Sequence, residues 1–458
     1  MFKISDLHKN IKENNIIFIG KEDVLISSVE HDTRRIQKGA LYVAIKGDNL
    51  DGHDFVNDAV AKGAVACLVS KKIKNVDIPQ IIVSDTVYTY GEIAKYWRKK
   101  IKYPIVALTG SNGKTTTKDI IYTILAHKHK VCRTQGNFNN LIGLPYTLLS
   151  FSKDAEYGIV EMGMNAKGEV ARLSEIADPD FALVTNVGRA HIGKLGSIEA
   201  VLAAKMELFD YMLKKDKNLF VVNASDKLIS EWISEHNVKS KITYSCPPLK
   251  GADINVEQIS EDFEQQGFKV SSKDGRVVTG NIQLSGIHNL YNVTAGIAAA
   301  FSLGIKIDDA AQALRTFIPP SMRSNVVLRD GVKYLVDCYN ANPDSMTAAI
   351  NTGIKVDGVK RHLAIVGDML ELDDFSAQLH QEIGSLLAQK KYDHVFVIGN
   401  YAEDYKKGFL KYSSVDGISS YKSEDILTLK KDIKAFIKSG DFVLLKASRG
   451  MKLETILN

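Results

Sequence analysis

The stretch that most constrains the fold is Thr109–Thr117, with the sequence TGSNGKTTT. It follows the apolar run Pro104–Leu108, which predicts a buried strand, and it precedes Lys118–Leu125, which predicts a helix. Between a strand and a helix start, the backbone N–H groups of a glycine-rich turn can hold phosphate oxygens. A lysine there adds a full positive charge, and a threonine hydroxyl can bind Mg²⁺. The alternative is a plain glycine-rich turn.

The loop is a shortened form of the usual phosphate-binding pattern. That pattern places a glycine five positions before Gly113, where this chain has Leu108. Because the lysine and threonine are in place after a strand, we favour phosphate binding over the plain turn. The residues predicted to contact a nucleotide are Gly110, Ser111, Asn112, Gly113, Lys114, Thr115 and Thr116.

The chain as a whole predicts an α/β fold. Its 458 residues suggest about three domains, which we place at 1–101, 102–318 and 319–458. The first is a small α/β unit, the second has a parallel sheet that carries the phosphate loop, and the third is a smaller, doubly wound, Rossmann-like domain.

The expected elements follow from hydrophobic periodicity. In the first unit we expect strands at 40–45, 64–69 and 80–83, one helix near 54–62, and a solvated helix end and linker at 97–104. In the second we expect strands at 157–161, 181–186 and 218–222, an antiparallel appendage at 240–285, and an alanine-rich helix at 291–303. In the third we expect strands at 334–337, 362–366, 395–398 and 442–445, with helices near 344–354, 376–390 and 426–438.

Charge and cysteine usage limit the possible partners and compartment. The net charge of +5 suits a small polyanionic substrate and is too weak to indicate nucleic acid. The four cysteines show no metal-binding spacing, which favours free thiols in a reducing cytoplasm. The N-terminus lacks the apolar segment of a signal peptide, and no run of about 18 apolar residues predicts a membrane span.

Two polar residues follow predicted strands, at the edge where parallel sheets bind ligands. Glu161 ends the strand at 157–161, beside the phosphate loop, where a carboxylate can bind Mg²⁺; the alternative is a solvated edge residue. His191 follows the strand at 181–186, and the sequence pattern alone does not separate a metal ligand from a structural histidine.

Lys205 occupies an unusual place in a predicted helix. Ser197–Met212 has apolar residues spaced at three and four, and Lys205 falls within that stripe. Burial would lower its pKa and leave a neutral amine that can add CO₂ to give a carbamate, an anionic metal ligand. A lysine whose charged end extends to solvent is the common alternative, and helix geometry alone does not decide between them.

These segments together resemble the Mur ligases, the ATP-dependent amino-acid and peptide ligases of peptidoglycan synthesis, over essentially the whole chain. The matching segments are the loop at 109–116, the segment 134–145, Glu161, the pair Ala190–His191, the segment 204–207 and the segment 286–292. The resemblance implies ATP and two Mg²⁺ ions, one ion held by Thr115 and Glu161 and the other by His191 and a CO₂-derived carbamate on Lys205.

The resemblance also implies individual roles. Asn289 and Asn292 would contact the adenine, Asp337 the ribose and Arg323 the γ-phosphate, with Lys114, His191, Lys205 and Arg323 as the catalytic residues. Segments 337–346, 367–380 and 445–451 are similar to the branch of the family that joins D-Ala-D-Ala to UDP-N-acetylmuramoyl-tripeptide. The implied substrate contacts are Thr33, Arg34, Asp51 and His53 at the UDP end, Asn137, Asn139 and Asn140 beside the ATP site, and Tyr339, Asn340, Asn342, Asp368, Ser376, Lys446 and Ser448 in the third unit.

The implied reaction passes through an acyl phosphate, with ATP, UDP-N-acetylmuramoyl-tripeptide and D-Ala-D-Ala as partners. We expect a monomer with hinges near residues 101 and 319, while the third residue of the tripeptide stays open between lysine and diaminopimelate. The chain departs from the family at Met206 and Met322, where glycine is common, so the backbone beside Arg323 could differ. The alternatives are another Mur-like ligase such as folylpolyglutamate synthetase, a P-loop kinase or nucleotide-switched module, and an inactive cell-wall scaffold.

Overall fold

The computed structural model describes residues 1–11 and 16–457 of the chain. Within these residues, three larger sheets and one two-stranded ladder are present, and the three larger sheets follow one another along the sequence with helices between their strands. This alternation of strands and helices gives the predicted α/β class.

The first sheet has five strands in the order β2-β7-β6-β5-β4, and only β2 runs antiparallel to its neighbour. A short antiparallel ladder, β1–β3, lies beside it. The predicted strands and helix are present, together with two helices, α1 and α3, that were not predicted. The elements are β1 (Phe2–Lys3), α1 (Ile4–Asn10), β2 (Ile17–Ile19), β3 (Leu25–Ile26), β4 (Ser28–Glu30), β5 (Ala40–Val43), α2 (Val56–Ala61), β6 (Ala64–Val69), β7 (Gln80–Ile82) and α3 (Thr86–Arg98).

The central sheet has nine strands in the order β16-β15-β14-β13-β12-β11-β8-β10-β9, so the strand before the phosphate loop lies between β11 and β10. The predicted appendage is attached to the edge of this sheet: β13 is parallel to β12, and β14–β16 form an antiparallel meander. The elements are β8 (Ile105–Thr109), α4 (Lys114–Ala126), β9 (Val131–Arg133), α5 (Gly143–Ser150), β10 (Tyr157–Glu161), α6 (Glu169–Ala177), β11 (Phe181–Val184), α7 (Ile192–Leu195), α8 (Ile198–Leu213), β12 (Leu219–Asn223), α9 (Lys227–Glu235), β13 (Lys241–Ser245), β14 (Ile254–Glu261), β15 (Gln266–Ser272), β16 (Val277–Ile282), α10 (Ile287–Ser302) and α11 (Ile307–Leu314).

The third sheet has six strands in the order β17-β18-β22-β19-β20-β21, all parallel except the edge strand β17. The four predicted strands and three predicted helices are present; β17, β21 and α14 were not predicted. The elements are β17 (Asn325–Arg329), β18 (Val332–Asp337), α12 (Pro343–Gly353), β19 (Arg361–Gly367), α13 (Ser376–Gln389), β20 (His394–Ile398), α14 (Ala402–Phe409), β21 (Ile418–Tyr421), α15 (Ile426–Phe436) and β22 (Asp441–Lys446).

One apolar core joins the first sheet to the central sheet. It runs without a break from Phe2 in β1 to Val238 after α9, and it includes Trp97, Ile101 and Tyr103. The expectation that 97–104 is a solvated linker was therefore wrong for its apolar residues, although the lysines between them are exposed. The third sheet has separate cores on its two faces.

The helices that the structure describes are all too short or too polar to cross a membrane.

Candidate active site

The phosphate loop connects β8 to α4 at the carboxyl edge of the central sheet. Gly113 has φ +79°, and a Cβ there would collide with the side chain of Asn292; a Cβ at Gly110 would collide with Thr185 Oγ1. Both positions therefore require glycine, and α4 begins directly afterwards at Lys114.

Two residues that the sequence analysis did not single out hold this loop in place. Asn112 N donates to Asn186 Oδ1 at 2.9 Å, and Thr185 Oγ1 donates to Asn112 O at 2.6 Å. Thr185 and Asn186 follow β11 at the same carboxyl edge as Glu161, so the rule that identified Glu161 could also have identified them.

Lys114 lies within the loop, where its Nζ donates to Gly110 O at 2.7 Å. Burial lowers the pKa of Lys114, the negative charge of Glu161 opposes that shift, and the positive charge of Arg323 adds to it. Arg323, from the third domain, lines the same cavity as Lys114.

Glu161 ends β10 and is 2% exposed, so it is not a solvated edge residue. Its Oε1 accepts hydrogen bonds from Thr115 Oγ1 at 3.2 Å and Asn139 Nδ2 at 2.8 Å. Its Oε2 is buried and has no hydrogen-bond partner within the described ranges, and the nearest cation is Lys118 Nζ at 4.0 Å. A buried carboxylate oxygen without a donor can accept a metal ion.

Lys205 is 1% exposed in α8, so its amine does not extend to solvent. Within the part of the chain that the structure describes, it has no hydrogen bond or ion pair. Burial lowers the pKa of Lys205 far below its usual value, and repulsion from Lys114 lowers it further. Both effects favour the neutral amine, which is the form that can add CO₂.

His191 precedes α7 with φ +61°, and its side chain lines the cavity described next. Its Nδ1 lies 2.7 Å from Glu371 Oε2 of the third domain, at an angle that does not meet hydrogen-bond geometry.

A cavity of about 590 Å³ lies between the central and third domains. It brings together most of the residues predicted to bind nucleotide, metal and substrate. Those lining it are Ser111, Asn112, Gly113, Lys114, Thr115, Thr116, Asn137, Asn139, Asn140, Glu161, His191, Asn289, Asn292, Arg323, Asp337, Tyr339, Asn340, Asn342 and Lys446.

Three predicted substrate residues of the third domain, Asp368, Ser376 and Ser448, lie outside this lining. Asp368 is buried and accepts from the backbone N–H groups of Asn400 and Tyr401 at 2.8 and 3.1 Å. Ser448 Oγ accepts from Leu370 N at 2.9 Å, and the carbonyl of Ser376 contacts the ring of His380. Gly110 and Lys205 also lie outside the lining.

The predicted UDP-binding residues of the first domain lie away from the cavity. Thr33 and Arg34 lie in a short turn, where the Arg34 guanidinium pairs with Asp32 at 2.7 Å. His53 is buried, with Nδ1 2.5 Å from Asp51 Oδ1 and Nε2 accepting from a backbone N–H, so both its ring nitrogens are occupied.

The first domain approaches the cavity through a separate contact. Arg35 Nη1 donates to Tyr146 OH at 3.0 Å, and the guanidinium lies 5.3 Å from the ring centre of Phe138. Phe138 lies between Asn137 and Asn139, which line the cavity. Arg35 therefore joins the first domain to the segment that lines the cavity.

The two departures from the family pattern have different consequences. Met322 has φ +57°, a left-handed conformation that glycine adopts more readily than methionine. The Arg323 guanidinium then lies 4.0 Å from the ring centre of Tyr339. Met206 is a buried helical residue of α8, where no turn geometry depends on it.

The side chains beside the phosphate loop could hold hard divalent cations only together with the phosphates of a bound nucleotide. Among the described residues, no group of three or more His, Cys, Asp or Glu side chains could hold a metal ion. The unpaired Glu161 Oε2, the Thr115 hydroxyl, His191 and the buried Lys205 amine are the available partners. Phosphate oxygens and a carbamate would complete such a set.

A loop that can hold a triphosphate faces the polar wall of a second domain, so a nucleotide and another reactant can meet in one cavity. This is the arrangement of an ATP-dependent ligase that forms amide bonds through activated acids. Three family models match the chain: the Mur ligase family catalytic domain at 25–104, the Mur ligase middle domain at 108–300, and the Mur ligase glutamate ligase domain at 322–449.

The chain belongs to the Mur ligase family. It is 35% identical over 443 residues to the UDP-N-acetylmuramoyl-tripeptide–D-alanyl-D-alanine ligase of Bacillus subtilis (strain 168), covering 95% of this chain and 93% of that one. Its fold is similar to a crystal structure of MurF from Acinetobacter baumannii, with a TM-score of 0.86, 29% identity and coverage of 94% and 92%. It is likewise similar to the MurF ligase of Thermotoga maritima in complex with ADP, with a TM-score of 0.83, 29% identity and coverage of 95% and 97%.

Proposed function

We propose that this ligase joins D-Ala-D-Ala to UDP-N-acetylmuramoyl-tripeptide and converts ATP to ADP and phosphate. The observation that carries the proposal is the cavity in which Lys114 and Glu161 of the phosphate-loop domain face Asn340, Asn342 and Lys446 of the third domain. The full-length similarity to ligases named for this reaction supports the same substrates.

The first step joins two anions and therefore needs positive charge between them. A terminal carboxylate oxygen of the tripeptide attacks the γ-phosphorus, the bond from that phosphorus to the β–γ bridging oxygen breaks, and ADP leaves. Lys114 and Arg323 are the protein cations placed to offset the charge of the triphosphate. The product of this step is an acyl phosphate.

In the second step the amine of D-Ala-D-Ala attacks the acyl carbon. The carbon–oxygen bond to phosphate breaks, an amide forms, and the amine loses a proton. We assign the dipeptide to Tyr339, Asn340, Asn342 and Lys446, which line the cavity, together with Asp368, Ser376 and Ser448. Closure of the third domain over the reactants excludes water, which would hydrolyse the acyl phosphate.

We assign two Mg²⁺ ions to the donor set described above. When bound, they supply positive charge between the phosphates and the attacking carboxylate. Thr115 and Glu161 would hold one ion, and His191 and carbamylated Lys205 the other. The neutral Lys205 amine forms its carbamate by bonding to the carbon of CO₂ and releasing a proton, and the buried, unpaired state of the amine supports this assignment.

The remaining assignments concern the adenosine end of ATP and the UDP end of the tripeptide substrate. We place the adenine at Asn289 and Asn292 and the ribose at Asp337, all of which line the cavity. We place the UDP end of the tripeptide substrate at Thr33, Arg34, Asp51 and His53.

The four free cysteines suit a reducing compartment, and we assign the reaction to the cytoplasm, with a monomer as the working unit.

The experiment measures ADP formation by the purified protein with ATP and Mg²⁺, and identifies products by mass spectrometry. Repeated turnover, with release of ADP and phosphate, should require both UDP-N-acetylmuramoyl-tripeptide and D-Ala-D-Ala, and the product should contain both. Lys114→Ala is the control, because it removes the loop cation. Turnover with glutamate and folate would instead identify a folylpolyglutamate synthetase, and repeated ADP formation without a dipeptide, giving a stable phosphorylated product, would identify a kinase.

A further inference from the structure

Two residues with left-handed backbone meet across the boundary between the central and third domains. His191 has φ +61° and precedes α7, while Glu371 has φ +65° and follows β19. Their side chains approach to 2.7 Å between Nδ1 and Oε2, and Lys194 Nζ lies 3.9 Å from the other carboxylate oxygen. Non-glycine residues keep this strained conformation where the surrounding structure imposes it, and such positions cluster at functional sites.

The backbone around this pair is closely packed. A Cβ on Gly193 would lie 2.5 Å from the carbonyl carbon of Leu372. Ile192 packs against the core of the third domain, although it belongs to the central domain. The packing of two segments, 191–195 and 371–375, therefore fixes the backbone of His191 and Glu371. Their contact does not depend on side-chain rotamers alone.

We propose that Glu371 is a positioning residue that acts through His191. A carboxylate beside one ring nitrogen restricts rotation of the imidazole and leaves the other nitrogen, Nε2, for a ligand in the cavity. Because Glu371 comes from the third domain, His191 reaches its metal-binding orientation only when that domain is docked. This inference rests on the proposed role of His191 as a metal ligand and adds a residue from a different domain to the second ion's site.

The test measures Mn²⁺ binding to the full-length protein with saturating ADP in bicarbonate buffer, from the electron paramagnetic resonance signal of free Mn²⁺. Loss of a residue that orients a metal-binding histidine typically lowers metal affinity about 10–100-fold. We therefore expect Glu371→Ala to weaken one Mn²⁺ site by about that factor. Glu371→Gln keeps an oxygen beside Nδ1 and should lose less.

The matched control is Glu382→Ala. Glu382 accepts from Arg189 Nη1 at 2.9 Å across the same domain boundary, and its side chain is 43% exposed against 39% for Glu371. Removing it should leave Mn²⁺ affinity unchanged. An equal loss in Glu382→Ala would show that domain docking in general, and not Glu371, controls the site, and would overturn the proposal.

A double-mutant cycle with His191→Ala separates the remaining outcomes. If Glu371 acts through His191, Glu371→Ala causes no further loss in the His191→Ala protein. A full additional loss would make Glu371 a metal ligand itself, and unchanged affinity in Glu371→Ala alone would also overturn the proposal. If His191→Ala binds Mn²⁺ as tightly as the wild-type protein, His191 is not a metal ligand and the Glu371 proposal is wrong. The ligase activity is tested separately, by the assay of ADP formation.

Discussion

Lys205 is the residue on which the proposed chemistry depends most. Its position within the apolar stripe of α8 predicted that it would be buried or reach into a site, and the structure shows that it is buried. The sequence pattern could not show that the amine lacks a partner, because that depends on Lys114 and on residues from other elements. The carbamate itself remains a prediction.

Lys205→Ala tests the carbamate directly. We expect the variant to lose most ligase activity while keeping its circular dichroism spectrum, because it would lack an anionic metal ligand but no large part of the core. Short carboxylic acids should restore part of the activity by supplying the missing oxygen ligands. Full activity without any added acid would rule out the carbamate.

The pH dependence of Tm in Lys205→Met tests whether burial lowers the pKa of the Lys205 amine. The folded-state pKa lies far below the unfolded value of 10.5, so between the two values the unfolded chain binds a proton that the folded chain does not. The stability of the wild-type protein relative to the variant therefore rises with pH. In CO₂-free buffer, Tm of Lys205→Met should exceed that of the wild-type protein at pH 7, and the difference should shrink toward pH 10. A difference independent of pH would contradict the lowered pKa.

Four other residues show which positions and contacts could be predicted from the sequence and which could not. Glu161 was predictable because it ends an apolar strand beside the phosphate loop. Glu371 and Arg189 make their contacts across a domain boundary, so no local pattern reveals their partners. His53 resembled a substrate residue by motif, yet its ring nitrogens are already engaged within the first domain.

Among the elements, α12 links the third domain to the phosphate loop. Asn342 caps this helix by accepting from Ser345 N at 3.0 Å, and its Nδ2 donates to Asn112 Oδ1 of the loop at 2.7 Å. A side chain predicted to contact substrate thus also starts a helix and supports the nucleotide site.

Two substitutions separate these roles of Asn342. Asn342→Ala removes the cap and should lower the free energy of unfolding by about 1 kcal/mol, whereas Asn342→Ser keeps a capping oxygen and should change it by only a few tenths. Both lose the bond to Asn112, so KM for ATP should rise in both. Urea denaturation and steady-state kinetics measure the two effects; an unchanged KM in the serine variant would show that the bond does not support nucleotide binding.

Buried strands with continuous apolar runs were predictable, whereas the 13-residue helix α3 and the short edge elements were not. The strands at 157–161 and 64–69 match their predictions residue for residue. The edge strand β9 has only three residues, too few to show a period, and its register comes from pairing with β10. The stretch 97–104 was misjudged because its lysines concealed apolar residues that pack against the central domain.

At the scale of the whole molecule, the two domain boundaries differ in kind. The first and central domains share one apolar core, and Arg98 adds hydrogen bonds to Ala177 O and Asp180 at 2.8 Å. The third domain contacts the central one through several polar pairs, among them Arg189–Asp344 and Asn112–Asn342. Domains move more readily across polar interfaces than across a large shared core. We therefore place the hinge near residue 319 and expect little motion near residue 101.

Limited proteolysis tests this difference. The linker residue Ile318 is 81% exposed, so we expect the first cuts near 316–323, giving fragments that correspond to about 1–318 and 319–458. ATP with the tripeptide substrate should slow this cleavage by holding the third domain in place, and Lys114→Ala should lose that protection. First cleavage near residue 101 would contradict the shared core.

The central claim is that the two domains bring ATP and a carboxylate together to form an acyl phosphate, which D-Ala-D-Ala then consumes. The most direct measurement uses UDP-N-acetylmuramoyl-tripeptide labelled with ¹⁸O in its terminal carboxylate, followed by mass spectrometry of the released phosphate. Because a carboxylate oxygen attacks the γ-phosphorus and leaves with it, each phosphate should carry one labelled oxygen, and its release should require D-Ala-D-Ala. Unlabelled phosphate accompanying amide formation would contradict the acyl-phosphate route.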